Sequence, residues 1–445
     1  MAHPEPTGRP RRWQSLFVAV AVAGAIAALT VWRVSGPGTA SVRSGISSPN
    51  ASPASPAPSS APASSKKAAP TTTTAPPHPV NADTVTYDVP SGVASDCSSD
   101  VTTRLLDWID STPDNSVLRF GTDACYEIEG VLYVTGRQRL TFVGNGADFM
   151  AKTNGADQPR PAGVADPRWP RRRAHWWFAN SNDISISNVT VTGSNPHSGQ
   201  ADAQYDAKYE VQSGFVITAS TNVTVADNSI ERVWGDFVTV EEHSSNVTIR
   251  GNHMTTDGRQ GVAVTNASHV VIDGNTMDDM RRSVFDLEVN FDTGVIDDVR
   301  IINNTTGNSR LLWLANAGNS THISNIVIQN NTMTGTSLSL LYSKAKDPSA
   351  GKRGPWTIDH NHFRMHDTTW AGFEWIGSDG ISLHDNVVAI DPGANITMVR
   401  ASSSDQLQVH DNDFTGTAVL LDPGDTPTWC EAANQPAALS HNRPC

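Results

Sequence analysis

A short strand-like unit that ends in asparagine recurs along most of this 445-residue chain. Two neighbouring copies run from Asn246 to Asn252 (NVTIRGN) and from His269 to Asn275 (HVVIDGN), and each precedes a polar turn and a second short strand. The other copies end at Asn145, Asn188, Asn228, Asn304, Asn331, Asn361, Asn386 and Asn412. From Asn228 onward these asparagines lie 23 to 30 residues apart. Short alternating strands at this period, without helices between them, indicate a stacked β solenoid.

Each unit alternates apolar and polar residues, so that one side of its strand faces a core. In one copy, Val247 and Ile249 alternate with Thr248 and Arg250. One coil cannot bury its apolar side alone, but about ten coils stacked at about 4.8 Å bury a continuous one. The terminal asparagine lies where the chain bends, and we expect it to adopt unusual backbone geometry and to bond the next coil through its amide.

The opening helix, the NVTIRGN-type units and the asparagine ladder resemble the right-handed parallel β-helix proteins of the pectin lyase-like superfamily. The helix is predicted from Ser98-Ser99-Asp100, a candidate N-cap, followed by Val101, Leu105 and Ile109 at helical spacing. The resemblance covers about residues 83–430 and implies an all-β right-handed parallel β-helix with a short N-terminal capping helix. The superfamily includes polysaccharide lyases, glycoside hydrolases, uronate epimerases and phage tail proteins, so the reaction stays open.

The chain before the solenoid has three predicted segments. Residues 1–15 are short and basic, 16–33 contain the apolar run LFVAVAVAGAIAALTVW, and 34–82 are a disordered linker rich in Ser, Thr, Pro and Ala. The apolar run of 17 residues is at the short end of a membrane span. We expect a signal anchor, with a cleaved signal peptide as the alternative. Both predict an extracytoplasmic protein, held at the cell surface or secreted.

Four cysteines lie beyond the linker. Two are near the start of the solenoid and two near its end, which favours the pairs Cys97–Cys125 and Cys430–Cys445, the second reaching into a C-terminal tail at 431–445. Free thiols are the alternative. No CxxC spacing is present, so we predict no zinc site.

The net charge argues against a nucleic-acid partner. The whole chain carries −13, and the part after Pro90 has 25 Lys and Arg against 42 Asp and Glu, or 25 − 42 = −17. Backbone phosphates favour a basic face instead. We expect a monomer that binds a polysaccharide.

Counting from each ladder asparagine aligns the second strands of three central coils. Positions ten and twelve are predicted to face inward: Val238, Val240, Val262, Val264, Phe285 and Leu287. Positions eleven and thirteen are predicted to face outward: Thr239, Glu241, Ala263, Thr265, Asp286 and Glu288. Asp286 and Glu288 are thus predicted to share one exposed face, with Glu241 two coils away. Carboxyl pairs about 5–9 Å apart serve glycoside hydrolysis.

Arginines stack beside these acids. Arg259 and Arg282 take equivalent positions in neighbouring coils, and Arg310 follows one position earlier. Stacked like charges need carboxylates or an anionic ligand, and a uronic acid suits the planar guanidinium. Asp236 and Asp257 are further candidate partners. The alternative is an outward salt-bridge ladder that prevents sheet aggregation.

Three short motifs resemble the GD, RQG and DxEPN signatures of one bacterial branch of β-helix proteins. They are Gly235-Asp236, Arg259-Gln260-Gly261 and 286–290 (DLEVN), in which valine stands where that branch has proline. The candidate catalytic residues are Asp286, Glu288, Arg259 and Asp236. The candidate substrate-binding residues are Gln260, Arg282, Glu241, Asn290, Arg310 and Tyr205.

Together these features predict an exported carbohydrate-active protein that cleaves an acidic, uronate-containing polysaccharide by hydrolysis or β-elimination. The alternative is a non-catalytic, cell-surface glycan-binding or adhesin-like module. No cofactor is evident from the motifs. A Ca²⁺ site assembled across coils would leave no signature in the sequence.

Overall fold

The structure is a computed structural model that describes residues 84–155, 173–199, 206–289, 293–318, 322–349, 351–366, 370–390, 396–415, 419–435 and 445. The predicted segments 1–15 and 16–33 and the linker up to 82 lie outside these ranges. Within them, no helix is long and apolar enough to cross a membrane. The described chain forms one helix, α1 (Thr102–Ser111), and strands that pair in parallel along three faces of a solenoid.

The three faces run along the solenoid, and each complete turn contributes a strand to each face. Face 1 consists of β1 (Val85–Asp88), β3 (Ser116–Arg119), β6 (Gln138–Met150), β8 (Asn182–Thr192), β10 (Thr221–Ala226), β13 (Ser244–Arg250), β16 (Ala267–Asp273), β19 (Ile296–Ile302), β22 (Ile323–Gln329), β25 (Trp356–Asp359), β28 (Asp379–His384), β31 (Asp405–His410) and β34 (Trp429–Ala432).

Face 2 consists of shorter strands, joined by the second halves of β6 and β8. These strands are β2 (Asp96–Asp100), β4 (Cys125–Glu127), β11 (Ser229–Glu231), β14 (His253–Thr255), β17 (Thr276–Asp278), β20 (Thr305–Thr306), β23 (Thr332–Met333), β26 (His362–Met365), β29 (Val387–Ile390) and β32 (Asp413–Thr415).

Face 3 is a separate sheet of 11 strands. It consists of β5 (Leu132–Thr135), β7 (Trp176–Ala179), β9 (Phe215–Thr218), β12 (Val238–Glu241), β15 (Gln260–Val264), β18 (Ser283–Leu287), β21 (Leu312–Asn316), β24 (Ser339–Lys344), β27 (Phe373–Ile376), β30 (Ile396–Ser402) and β33 (Val419–Asp422). The asparagine count predicts about ten turns. The solenoid has about eleven, because the turn before β6 carries no copy of the repeat unit.

The interior is a continuous stack of apolar side chains, as the alternation predicts. Val262 pairs with Phe285 and Val264 with Leu287, and all four are fully buried in one core cluster. Val238 and Val240 precede them in the same stack. The predicted inward positions on face 3 are therefore confirmed.

An asparagine ladder runs between faces 1 and 2. In each rung, the backbone N–H and the side-chain amide of one asparagine donate to Oδ1 of the next, as Asn252 does to Asn275 at 3.0 and 2.9 Å. The ladder comprises Asn228, Asn252, Asn275, Asn304, Asn331, Asn361, Asn386, Asn412 and Asn434. The predicted bonding between coils is confirmed.

Two details of the ladder prediction are wrong. Asn188 has a left-handed backbone, and it is the N–H of Val189 that donates to Asn228. Asn145 instead bonds the Phe120 carbonyl, so the ladder begins at Asn228, two coils later than predicted. The ladder asparagines do not have the left-handed backbone themselves. It falls on the residue before each of them, such as Gly251, with φ of +63°.

Both ends of the described solenoid are covalently tied. The predicted disulfides Cys97–Cys125 and Cys430–Cys445 are both present. Helix α1 buries Leu105 and Ile109 in the first turns of the core, and the Asp100 carboxylate accepts a hydrogen bond from the N–H of Thr102 at 2.9 Å. The predicted capping helix is confirmed, but its N-cap residue is Val101 and not a residue of the predicted 98–100.

Candidate functional site

Charged side chains from three successive turns meet on the outer side of face 3. Asp236 lies just before β12, Arg259 just before β15, and Asp286 and Glu288 lie in and after β18. Because Phe285 and Leu287 point into the core, Asp286 and Glu288 point outward. We call Glu210, Asp236, Asp286 and Glu288, with Arg259 among them, the carboxyl cluster.

The predicted exposure of this site is wrong. Asp236, Asp286 and Glu288 retain only 2, 3 and 5% of their accessible surface. Ala263, also predicted to be outward, is fully buried. One reason is that the Arg259 side chain reaches across the turns on both sides of its own and contacts Asp236 and Glu288.

The Arg259 guanidinium joins three of the four carboxylates. Its Nη1 donates to Asp236 Oδ2 at 3.1 Å, its Nη2 lies 3.6 Å from Glu288 Oε2, and its Nε lies 3.9 Å from Glu210 Oε2. Charged groups with such little exposure need partners of opposite sign. The arginine therefore holds acids from separate turns in one cluster.

Burial changes the proton affinity of these groups. It raises the pKa of Asp236 to about 6, an increase that Arg259 opposes and the neighbouring acids reinforce. Burial, followed by repulsion from Glu288, raises the pKa of Asp286 well above its usual value. Burial alone would lower the pKa of Arg259, but the surrounding carboxylates raise it above its ordinary value. Asp286 thus holds its proton more strongly than an exposed aspartate does.

Neutral polar groups complete the cluster. The Gln260 side chain bonds Asp286, and its backbone N–H bonds Asp236. The Thr239 hydroxyl lies 3.4 Å from Asp236 Oδ2 and 2.9 Å from the Ser213 hydroxyl. Glu288 Oε1 is buried and has no hydrogen-bond partner among the described residues. One buried carboxylate oxygen of the cluster is thus left to accept a proton or a hydrogen bond.

The other predicted residues lie around this centre. Glu241 ends β12, two turns from Glu288, and accepts a bond from Thr218 at 3.4 Å. The N–H of Arg282 donates to the Arg259 carbonyl at 3.0 Å, which confirms that these arginines occupy equivalent positions in adjacent turns. Arg310 is exposed and lies one position out of that column.

Asp257 is fully buried outside the cluster and accepts the N–H of Arg281 at 2.6 Å, rather than facing an arginine side chain on the surface. Tyr205 and Asn290 lie outside the described residues. Within the described ranges, no group of three or more His, Cys, Asp or Glu side chains could hold a metal ion.

Glu210 was not predicted as part of the site, although Tyr205 from the same turn was a candidate. The segment 206–212 follows a long turn of irregular length, so counting from the ladder does not position it. Its glutamate reaches Arg259, and Tyr209 packs on Trp234 with ring centroids 5.1 Å apart. Neither the repeat nor any of the three short motifs singles out Glu210 in the sequence.

Comparisons with known proteins agree with this architecture. A family described as "Right handed beta helix region" matches residues 177–348. The fold is a right-handed parallel β-helix. A search of curated proteins gives no match to this chain.

Solved structures share the β-helix at low sequence identity. A family 28 exopolygalacturonase from Yersinia enterocolitica is 13% identical, with a TM-score of 0.54, covering 81% of this chain and 79% of its own. The catalytic unit of a GH87 α-1,3-glucanase from Streptomyces thermodiastaticus is also 13% identical, with a TM-score of 0.51 and coverage of 81 and 69%. At this identity the likeness shows the fold alone.

Proposed function

We propose that this chain is an exported glycan hydrolase, carried to the cell surface by residues 16–33, and that the carboxyl cluster cleaves the glycosidic bond. The observation that carries the proposal is the placement of Asp286 and Glu288, two residues apart on the outer side of one strand and enclosed with Arg259. Residues two apart on a strand are separated by about 6.7 Å along it, which is within the range of carboxyl separations in inverting glycosidases.

The environments of the two acids suit different roles. Asp286, whose pKa is raised by burial and by repulsion from Glu288, would donate its proton to the leaving glycosidic oxygen. Glu288, through its unpartnered Oε1, would take a proton from the water whose oxygen attacks the anomeric carbon. Asp236 and Arg259 would act as positioning residues, because the salt bridge between them fixes the guanidinium against Glu288.

The charge of the cluster favours hydrolysis over β-elimination. Elimination needs a cation to neutralise the uronate carboxylate next to the reacting carbon. The guanidinium at this centre already faces three carboxylates, so a uronate at the cleaved bond would meet like charges. We therefore propose a neutral sugar at that bond. Uronates of the predicted acidic substrate would lie farther along the chain, near exposed Arg310.

The test is incubation of the purified full chain with polygalacturonate, alginate, α-1,3-glucan and neutral plant and microbial glycans. Hydrolysis gives new reducing ends without the ultraviolet absorbance of an unsaturated uronate. Asp286→Asn and Glu288→Gln should each lower the rate about 10²- to 10⁴-fold. The matched control is Asp107→Asn, on the exposed side of α1, which should keep the wild-type rate.

Other outcomes count against the proposal. New unsaturated products would identify a lyase, and unchanged cleavage by both variants would remove the cluster from the reaction. Retention of a glycan without cleavage would favour the predicted binding module.

A further inference from the structure

One outward position from each turn of face 3 aligns into a row that passes through the carboxyl cluster. We call it the outer row. In order from the N-terminal side, it consists of Trp177, Val216, Thr239, Ala263, Asp286, Ala315, Tyr342, Glu374 and Arg400.

The outer row is covered on one side of the cluster and open on the other. On the N-terminal side, Trp177 and Val216 retain only 4 and 1% of their accessible surface. On the C-terminal side, Ala315, Tyr342 and the residues beyond them are half-exposed. A parallel row two residues farther along each strand behaves in the same way: Ala179 and Thr218 are buried, and Lys344 and Ile376 are accessible.

The segment 206–212 helps to close the N-terminal side. Tyr209 packs against Trp234, and the Gln212 amide donates to the Asn154 carbonyl at 2.8 Å. The Gly235 N–H donates to the Gln212 carbonyl at 2.8 Å, and a Cβ at Gly235 would lie 2.5 Å from the Glu210 carbonyl oxygen. The glycine beside Asp236 thus lets the segment pack directly against the cluster.

We call the buried N-terminal part of the outer row, Trp177 and Val216, the barrier. A short accessible stretch remains between the barrier and the acids. Thr239, Glu241 and Thr265 are half-exposed and lie on β12 or just after β15. Between Val216 and Asp286 stand two turns, so three turn spacings, roughly 14 Å, separate the barrier from the acid. A chain bound across Asp286 could extend only this short distance toward the N-terminal side.

We infer that the site accepts the end of a glycan chain and releases short sugars, while the rest of the chain lies along the outer row past Tyr342 toward Arg400. This inference rests on the proposed hydrolase function. The half-exposed ring of Tyr342 offers an apolar surface to a sugar. Arg400 lies 3.7 Å from Glu374 and 3.6 Å from Asp422, so this stretch presents hydrogen-bonding groups of both charges to sugar hydroxyls.

The first test is the product profile on whichever polysaccharide of the panel is cleaved. Chain-end action should release mono-, di- or trisaccharides from the start, with viscosity falling slowly relative to the rise in reducing ends. A ladder of long intermediates with rapid loss of viscosity would overturn the inference while leaving the hydrolase proposal intact.

The second test does not require cleavage. Glu288→Gln is titrated calorimetrically with galacturonate and α-1,3-glucose oligosaccharides of increasing length. Chain-end binding predicts no more than one protein per oligosaccharide at every length. A number of bound proteins per oligosaccharide that rises with length would show binding at internal positions of the chain. If no oligosaccharide binds, both the inference and the proposal that the site accepts these sugars are wrong.

Two variants probe the two sides separately. Tyr342→Ala should raise KM for long substrates about 3- to 10-fold and leave KM for the shortest cleaved substrate within twofold, because only long chains reach that turn. Thr357→Ala, on face 1 of the neighbouring turn, is the matched control. Tyr209→Ala should lengthen the products by loosening the barrier. Equal increases in the KM of Tyr342→Ala for short and long substrates would contradict the inference that long chains extend past Tyr342.

Discussion

Asn275→Ala tests how much the asparagine ladder contributes to stability. The Asn275 side chain donates to the Ile249 carbonyl and to Asn304 Oδ1 at 2.9 and 3.0 Å, and accepts two bonds from Asn252. Its removal leaves the Asn252 N–H and the Ile249 carbonyl buried without these partners. At about 1–3 kcal/mol for each unsatisfied group, the unfolding free energy should fall by about 2–6 kcal/mol.

The assay is urea unfolding of the full chain, followed by circular dichroism and tryptophan fluorescence. The control is Thr276→Ala, which changes an exposed side chain beside Asn275 and should shift stability by less than about 0.5 kcal/mol. The Asn252→Ala, Asn275→Ala double variant should lose less than the sum of the single losses, since the two residues share two bonds. A loss below about 1 kcal/mol for Asn275→Ala would refute the reasoning.

Three further predictions concern other parts of the molecule. Replacing Cys97 and Cys125 by serine opens a crosslink spanning 28 residues and should lower the unfolding free energy by about 3–4 kcal/mol, measured by urea unfolding. Phe285→Ala, which removes a core ring 4.9 Å from Trp313, should cost about 3–5 kcal/mol in the same assay. The pKa of Asp236 is raised to about 6, so folding favours its protonated form, and stability should decline by a few kcal/mol as pH rises from about 4 to 6. Asp236→Asn should flatten that decline when the unfolding free energy is measured against pH. An unchanged slope would mean that other titrating groups cause the decline.

The core could be predicted from the sequence because every turn must bury apolar side chains at the same positions. Val262 and Phe285 occupy equivalent positions in successive turns, so counting from the ladder is enough to place both inside. The disulfide partners followed from proximity in the chain. Local backbone geometry was harder, since asparagine suits both the left-handed position and the amide ladder, and only the structure separates Asn188 from Asn252.

The surroundings of the site could not be predicted in the same way. Strand alternation correctly gives the direction of Asp286, but its burial depends on the reach of Arg259 across neighbouring turns. Glu210 arrives from a turn of irregular length, outside any period. The pKa shifts follow from that burial, so they too could not be predicted from the sequence.

The ladder also determines how this molecule would respond to pulling. Successive rungs from Asn228 to Asn434 are 22 to 30 residues apart, and the ladder asparagine of each turn bonds only the turns beside it. Force applied at the C-terminal end should therefore detach turns one after another. Each detachment would lengthen the chain by roughly 75–105 Å, at about 3.3–3.6 Å per residue. A stretched molecule would therefore unfold in steps from its C-terminal end. The turns that hold the carboxyl cluster would stay folded until the turns after them had unfolded.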